Sequence, residues 1–126
     1  MINRIKDRKK WIKELDKLWS AIIHERYKVC QYCGSTNRLN AHHIFTKGAS
    51  GQGLRHDTKN GILLCGGHHI FYAHQRPIEF HEFLKKWMGI KEYEKLLMRS
   101  KLTCKNKDYK AWELLLTREI RLLKEA

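Results

Sequence analysis

The chain has 126 residues, and its 26 lysines and arginines against 13 aspartates and glutamates give a formal net charge of +13. That length makes a single domain and excludes two independent cores. The charge makes nucleic acid the leading partner, because a positive field on so small a body concentrates phosphates at its surface. No apolar run approaches the roughly 20 residues a membrane span needs, and the opening MINRIKDRKKW is charged where an export signal is apolar. A cytoplasmic protein with no membrane partner is expected. In that compartment the four cysteines point to a metal in preference to disulfides.

One domain over residues 1–126 divides into three regions. In residues 1–27 the apolar side chains Trp11, Ile12, Leu15, Leu18, Trp19, Ile22 and Ile23 recur at steps of three and four, which predicts an amphipathic helix from Arg4 to about Tyr27. Its first turns carry Arg4, Lys6, Arg8, Lys9, Lys10 and Lys13. Lys9 and Lys10 are candidates to lie along a phosphate backbone; a solvated basic face is the equal alternative.

Residues 28–76 are of different character, with three of the four cysteines and most of the histidines. LNAHHI and GILLC are short apolar runs of strand type, separated by a loop containing the glycine-rich GASGQG, and GHHIFYAHQ opens a helix that Pro77 interrupts. Residues 77–126 are helical again. Ile78, Phe80, Phe83, Leu84, Trp87 and Met88 form one apolar face with Gly89 as its stop, and KEYEKLLMRS fits a shorter helix. The last helix runs from a cap at Asp108 to Ala126, with Tyr109, Trp112, Leu116, Ile120 and Leu123 as a core stripe.

The chemistry lies in the middle region. CQYC sets Cys30 two residues before Cys33, and CGGH sets Cys65 two residues before His68. A two-residue spacer makes a tight knuckle that aims both side chains at one ion, so the pairs predict a structural Zn²⁺ held by Cys30, Cys33, Cys65 and His68. Gly34, Gly66 and Gly67 suit such turns, which often need angles that glycine takes cheaply. Cys104 in place of His68 is a weaker variant, because it stands alone between polar stretches. The zinc would substitute for core that so short a hairpin cannot build. A centre with four protein ligands is closed to substrate, so reactive chemistry needs a second, open ion.

The ordered set of CQYC, AHHI, Asn60 heading NGILLC, CGGH and then His69 resembles the HNH endonucleases, over about Val29 to Pro77. The continuation AHQRPIEFHEFLKKWMG is further similar to small HNH proteins encoded by phages. The resemblance implies an α+β fold: a ββα-metal core with a structural zinc, flanked by the N-terminal basic helix and C-terminal helices. It implies a metal-dependent endonuclease that cuts or nicks the phosphodiester bonds of DNA, with double-stranded DNA as the expected partner. It assigns His43 as the general base, His42 and His69 as ligands of the catalytic ion, and Asn60 as the residue that holds the loop before the second strand and so orients His43.

Many members of that family have Asp where this chain has His42. The softer site favours Mn²⁺, Ni²⁺ or Zn²⁺ over Mg²⁺. The sequence GHH leaves a second register open, with His69 on zinc and His68 on the catalytic ion; the two-residue spacing favours His68. Neighbours on a strand face opposite ways, so His42 is expected to point to the helix and His43 along the substrate. His74, five residues after His69, is a possible third ligand although a regular helix would prefer four. His24, His56 and His81 read as surface or packing residues. Lys47, Arg55 and Lys59 are candidate phosphate contacts in the loop. The alternative function is a non-catalytic, zinc-stabilised nucleic-acid-binding accessory in phage recombination or packaging, which would have no use for His43. Oligomeric state is not legible from these residues.

Overall fold

In a computed structural model of the chain, residues 4–45, 54–102 and 107–126 are described. Helix α1, Arg4–Tyr27, has 24 residues and therefore spans roughly 36 Å. Its apolar residues split into two contact lines. Leu15 and Ile22 pack with Leu116, while Trp19 and Ile23 pack with Leu63. One helix can serve both because its apolar stripe is wider than the narrow seam of a two-helix coil.

Strands β1 (Leu39–His43) and β2 (Gly61–Cys65) pair antiparallel, with Leu39 opposite Cys65 and His43 opposite Gly61. β2 is buried on both faces: Leu63 meets α1, whereas Ile62 and Leu64 belong to the main core with Phe80, Leu84, Tyr93 and Leu96. That explains why GILLC is a continuous apolar run and not an alternating one. A Cβ built on Gly61 would lie 2.4 and 2.8 Å from Ile23 side-chain atoms and 2.8 Å from the Trp19 ring. Only glycine lets α1 come this close to the hairpin.

Beyond β2 comes a π-helical segment, His68–His74. Helix α2, Pro77–Met88, follows with proline in its first turn, where the missing N–H costs nothing. Helix α3 covers Ile90–Ser100 and α4 covers Tyr109–Glu125. The expected cap is present: Asp108 accepts from the Ala111 amide at 3.0 Å. α4 lies against α1 and α3 against α2, so the strand, strand, helix order of the expected α+β core is sandwiched between two helical layers. Among the described residues no helix is long and apolar enough to cross a membrane.

Candidate metal centres and active site

The two knuckles converge at the end of the hairpin away from His43. Cys30 Sγ and Cys65 Sγ lie 3.8 and 3.1 Å from His68 Nδ1, and Cys33 Sγ lies 3.8 Å from Cys65 Sγ. All four donor atoms fall within 4.8 Å of one another. Bonds of 2.3 Å to sulfur and about 2.0 Å to nitrogen, at tetrahedral angles, require S–S edges of about 3.8 Å and S–N edges of about 3.5 Å. The cluster of Cys30, Cys33, Cys65 and His68 therefore fits a structural zinc.

The backbone prepares the thiolates. Burial works to raise the Cys30 thiol, but amides of Cys65, Cys33 and Tyr32 directed at its sulfur outweigh burial and bring it down to about 6. The Gly34 amide closes the first knuckle onto the Cys30 carbonyl at 2.8 Å, with Gly34 at φ +77°. Gly66 and Gly67 differ from expectation: neither has positive φ, and Gly67 sits in ordinary helical angles (−63°, −49°) because CGGH passes straight into the π-helical segment. The Tyr32 ring covers the centre, 4.4 Å from His68 and 4.7 Å from Tyr72.

At the other end of the hairpin, adjacent positions on β1 send His42 and His43 to opposite faces. The His42 ring meets His74 at 5.3 Å with an 80° interplanar angle, and Phe80 at 5.5 Å. Two imidazoles on one ion have ring centres roughly 5 Å apart, so this pair fits joint ligation. His69 has its backbone in the π-helical segment, but its side chain lies outside the described residues. The five-residue step from His69 to His74, awkward for a regular helix, comes closer to a full turn along the wider backbone of a segment bonded from i to i+5.

His43 turns to the α1 side. Its ring stacks on Trp19 at 3.9 Å and 2° from parallel, and its Nε2–H donates to the Arg55 carbonyl at 2.8 Å. A carbonyl can only accept, so Nε2 carries the proton and Nδ1 the lone pair. Asn60 is fully buried. Its amide donates to the Phe45 and Leu54 carbonyls at 3.0 and 3.2 Å, and its oxygen accepts from the Phe45 amide at 2.8 Å. It thus ties the exit of β1 to the return of the loop.

Arg55 is itself held. Its Nε and Nη2 donate to the two oxygens of Asp16 at 2.9 and 2.8 Å. His56, fully buried, donates from Nε2 to Asp16 at 2.7 Å and accepts at Nδ1 from the Lys107 ammonium at 2.5 Å. Burial first, and the Lys107 charge second, depress His56 to about 4, so it is neutral at pH 7. Burial works to raise Asp16, but its Arg55 and His56 donors prevail and hold it below the usual carboxylate range. Trp19 adds a second anchor, its Nε1–H reaching the Asp57 carbonyl at 3.0 Å.

Neither Asp16 nor Trp19 is marked as a site residue by the sequence. Trp19 fell within the apolar stripe, and nothing local links Asp16 to a loop 39 residues on. Of the other expectations, His56 and His81 are packing residues, His81 Nδ1 meeting the Tyr93 hydroxyl at 2.8 Å. Lys9, Lys10 and Lys59 are exposed, while two of the Arg55 donors are used on Asp16. Lys47, Cys104 and GASGQG lie outside the described residues.

Compared with known proteins, residues 30–69 match the family model described as HNH endonuclease. No curated protein and no solved structure matches the chain.

Proposed function

We propose that this chain hydrolyses phosphodiester bonds of double-stranded DNA, with His43 as general base, a reading supported by the match of residues 30–69 to the HNH endonuclease family model. The observation that carries the proposal is the fixed ring of His43. With Nε2–H bonded to the Arg55 carbonyl, Nδ1 is the nitrogen that takes a proton from water. The imidazolium so formed keeps its bond to a carbonyl dipole and lies over the electron-rich face of Trp19, which favours the cation.

His42, His74 and, through the five-residue step, His69 would hold the catalytic ion. Bound there, a divalent ion would offset charge on the scissile phosphate and stabilise the leaving oxygen. An all-imidazole set favours Mn²⁺, Ni²⁺ or Zn²⁺ over Mg²⁺. Asn60 positions the base by closing the loop that carries the Arg55 carbonyl. Cys30, Cys33, Cys65 and His68 would hold a structural zinc and take no part in proton transfer.

The test uses supercoiled plasmid incubated with zinc-loaded protein and Mn²⁺, Ni²⁺ or Mg²⁺. Nicked or linear product is expected with the transition metals and little with Mg²⁺ alone. His43→Ala should lower the rate roughly 100- to 10,000-fold, the usual worth of a general base, while retaining its circular dichroism. Cleavage by His43→Ala at the wild-type rate would remove His43 from the reaction.

A further inference from the structure

Away from the histidines, a cavity of about 560 Å³ lies between the C-terminal turns of α1 and α2 and the flank of α3. It runs beside the outer edge of β2, where the Gln31 amide bonds the Leu63 carbonyl at 2.9 Å. His42 and His43 belong to the other strand. The cavity is therefore separate from the proposed catalytic centre.

Its floor is aromatic. The Tyr27 and Trp87 rings are 5.5 Å apart at 58°, and Trp87 Nε1–H donates to Gln31 Oε1 at 3.3 Å, which holds the indole plane in place. Its rim carries the cations Arg26, Lys59, Lys95 and Arg99, with Glu92 as the acidic side chain of the lining and Glu119 and Asp57 behind the two arginines. Arg26 and Arg99 are set by Glu119 and Asp57, which keeps both guanidinium groups at the mouth. Lys95 pairs with Glu92 only across 3.4 Å with both side chains exposed, a contact that solvent makes weak. Lys59 is exposed and makes no ion pair among the described residues.

An aromatic floor takes the face of a flat, unpaired ring, and a rim of cations takes an anion beside it. A base with its phosphate supplies both, and every base has such a face, so the recognition is indifferent to sequence. A paired base in a duplex cannot reach the floor. We propose that this cavity binds a nucleotide of single-stranded nucleic acid, its base against Trp87 and Tyr27 and its phosphate among Lys59, Lys95 and Arg99. A strand displaced or frayed beside a cut would be held there while the catalytic face engages the duplex.

The experiment is anisotropy of a short labelled oligothymidylate with the full zinc-loaded chain and no catalytic metal added. Binding is read without cleavage, so the result is independent of the nuclease reading. Trp87→Leu should weaken binding roughly tenfold, the scale of one base–aromatic stack. Lys95→Glu, a change on an exposed position that leaves the core intact, should weaken it and flatten its dependence on salt. A duplex of the same length should compete poorly. Wild-type affinity in both variants, no binding by the wild type, or a duplex that competes as well as unlabelled oligothymidylate would each overturn the proposal.

Discussion

A histidine can serve as a base at a defined nitrogen only when something fixes its tautomer, and for His43, the proposed base, that something is a carbonyl of a residue held from a distant helix. His43 depends on Arg55, Arg55 on Asp16, and Asp16 also on buried His56, which in turn receives Lys107. The network has a pH signature. The His56 pKa is about 4 in the folded chain against an ordinary 6.5, so between those values the unfolded chain binds the extra proton. Stability is full above about 6.5 and falls as pH drops toward 4. Thermal melts in excess zinc should show this loss, and His56→Gln should flatten that part of the profile after the loss common to both proteins is subtracted. An identical slope in the variant would show that His56 is not held neutral. This residue-scale design was not legible in the sequence: Asp16 sits among basic neighbours of an ordinary amphipathic pattern, and its partners are brought to it only by the fold.

Elements were more legible than their joints. The two strands, the Asp108 cap and the helix starting at Pro77 all follow from local rules, because periodicity, side-chain capping and the missing proline N–H act within a few residues. The zinc pairs were legible for the same reason, each knuckle being a two-residue spacing. The π-helical segment was not, since its five-residue step reads as a fault in a regular helix until the backbone is seen. Nor did the role of Gly61 show, because its neighbours Ile23 and Trp19 come from another element. Gly61→Ala should cost about 1–3 kcal/mol, the range for overfilling a packed interior, and should disturb the Trp19–His43 stack as α1 is pushed off. Chemical denaturation measures the first effect; an unchanged midpoint would mean that α1 does not sit as close as described. Cys30→Ser strikes the other end of the hairpin. It should lower zinc content and melting temperature together, as chelation does to the wild type. A variant that melts normally without bound zinc would show the centre to be dispensable for folding.

Across the whole molecule α1 is the common beam. It carries α4 through Leu15 and Ile22, the sheet through Trp19 and Ile23, and the loop of the proposed base through Asp16. Near its start Trp11 stacks with Tyr109 at 6.3 Å, and Lys9 and Lys10, in the same turn, are exposed. A helix anchored along most of its length presents such lysines on a rigid mount, which lowers the ordering cost of laying them on a phosphate backbone. Should that face track DNA, each lost contact removes about 0.9 from the slope of log affinity against log salt. Lys9→Ala with Lys10→Ala should therefore lower the slope by up to about 1.8. Stability should stay unaltered, since both side chains are exposed. Electrophoretic or anisotropy titrations of a duplex over a range of salt concentrations measure the slope directly. A slope equal to that of the wild type would assign this basic face to solvent and leave the remaining surface cations to account for attraction by a chain of net charge +13.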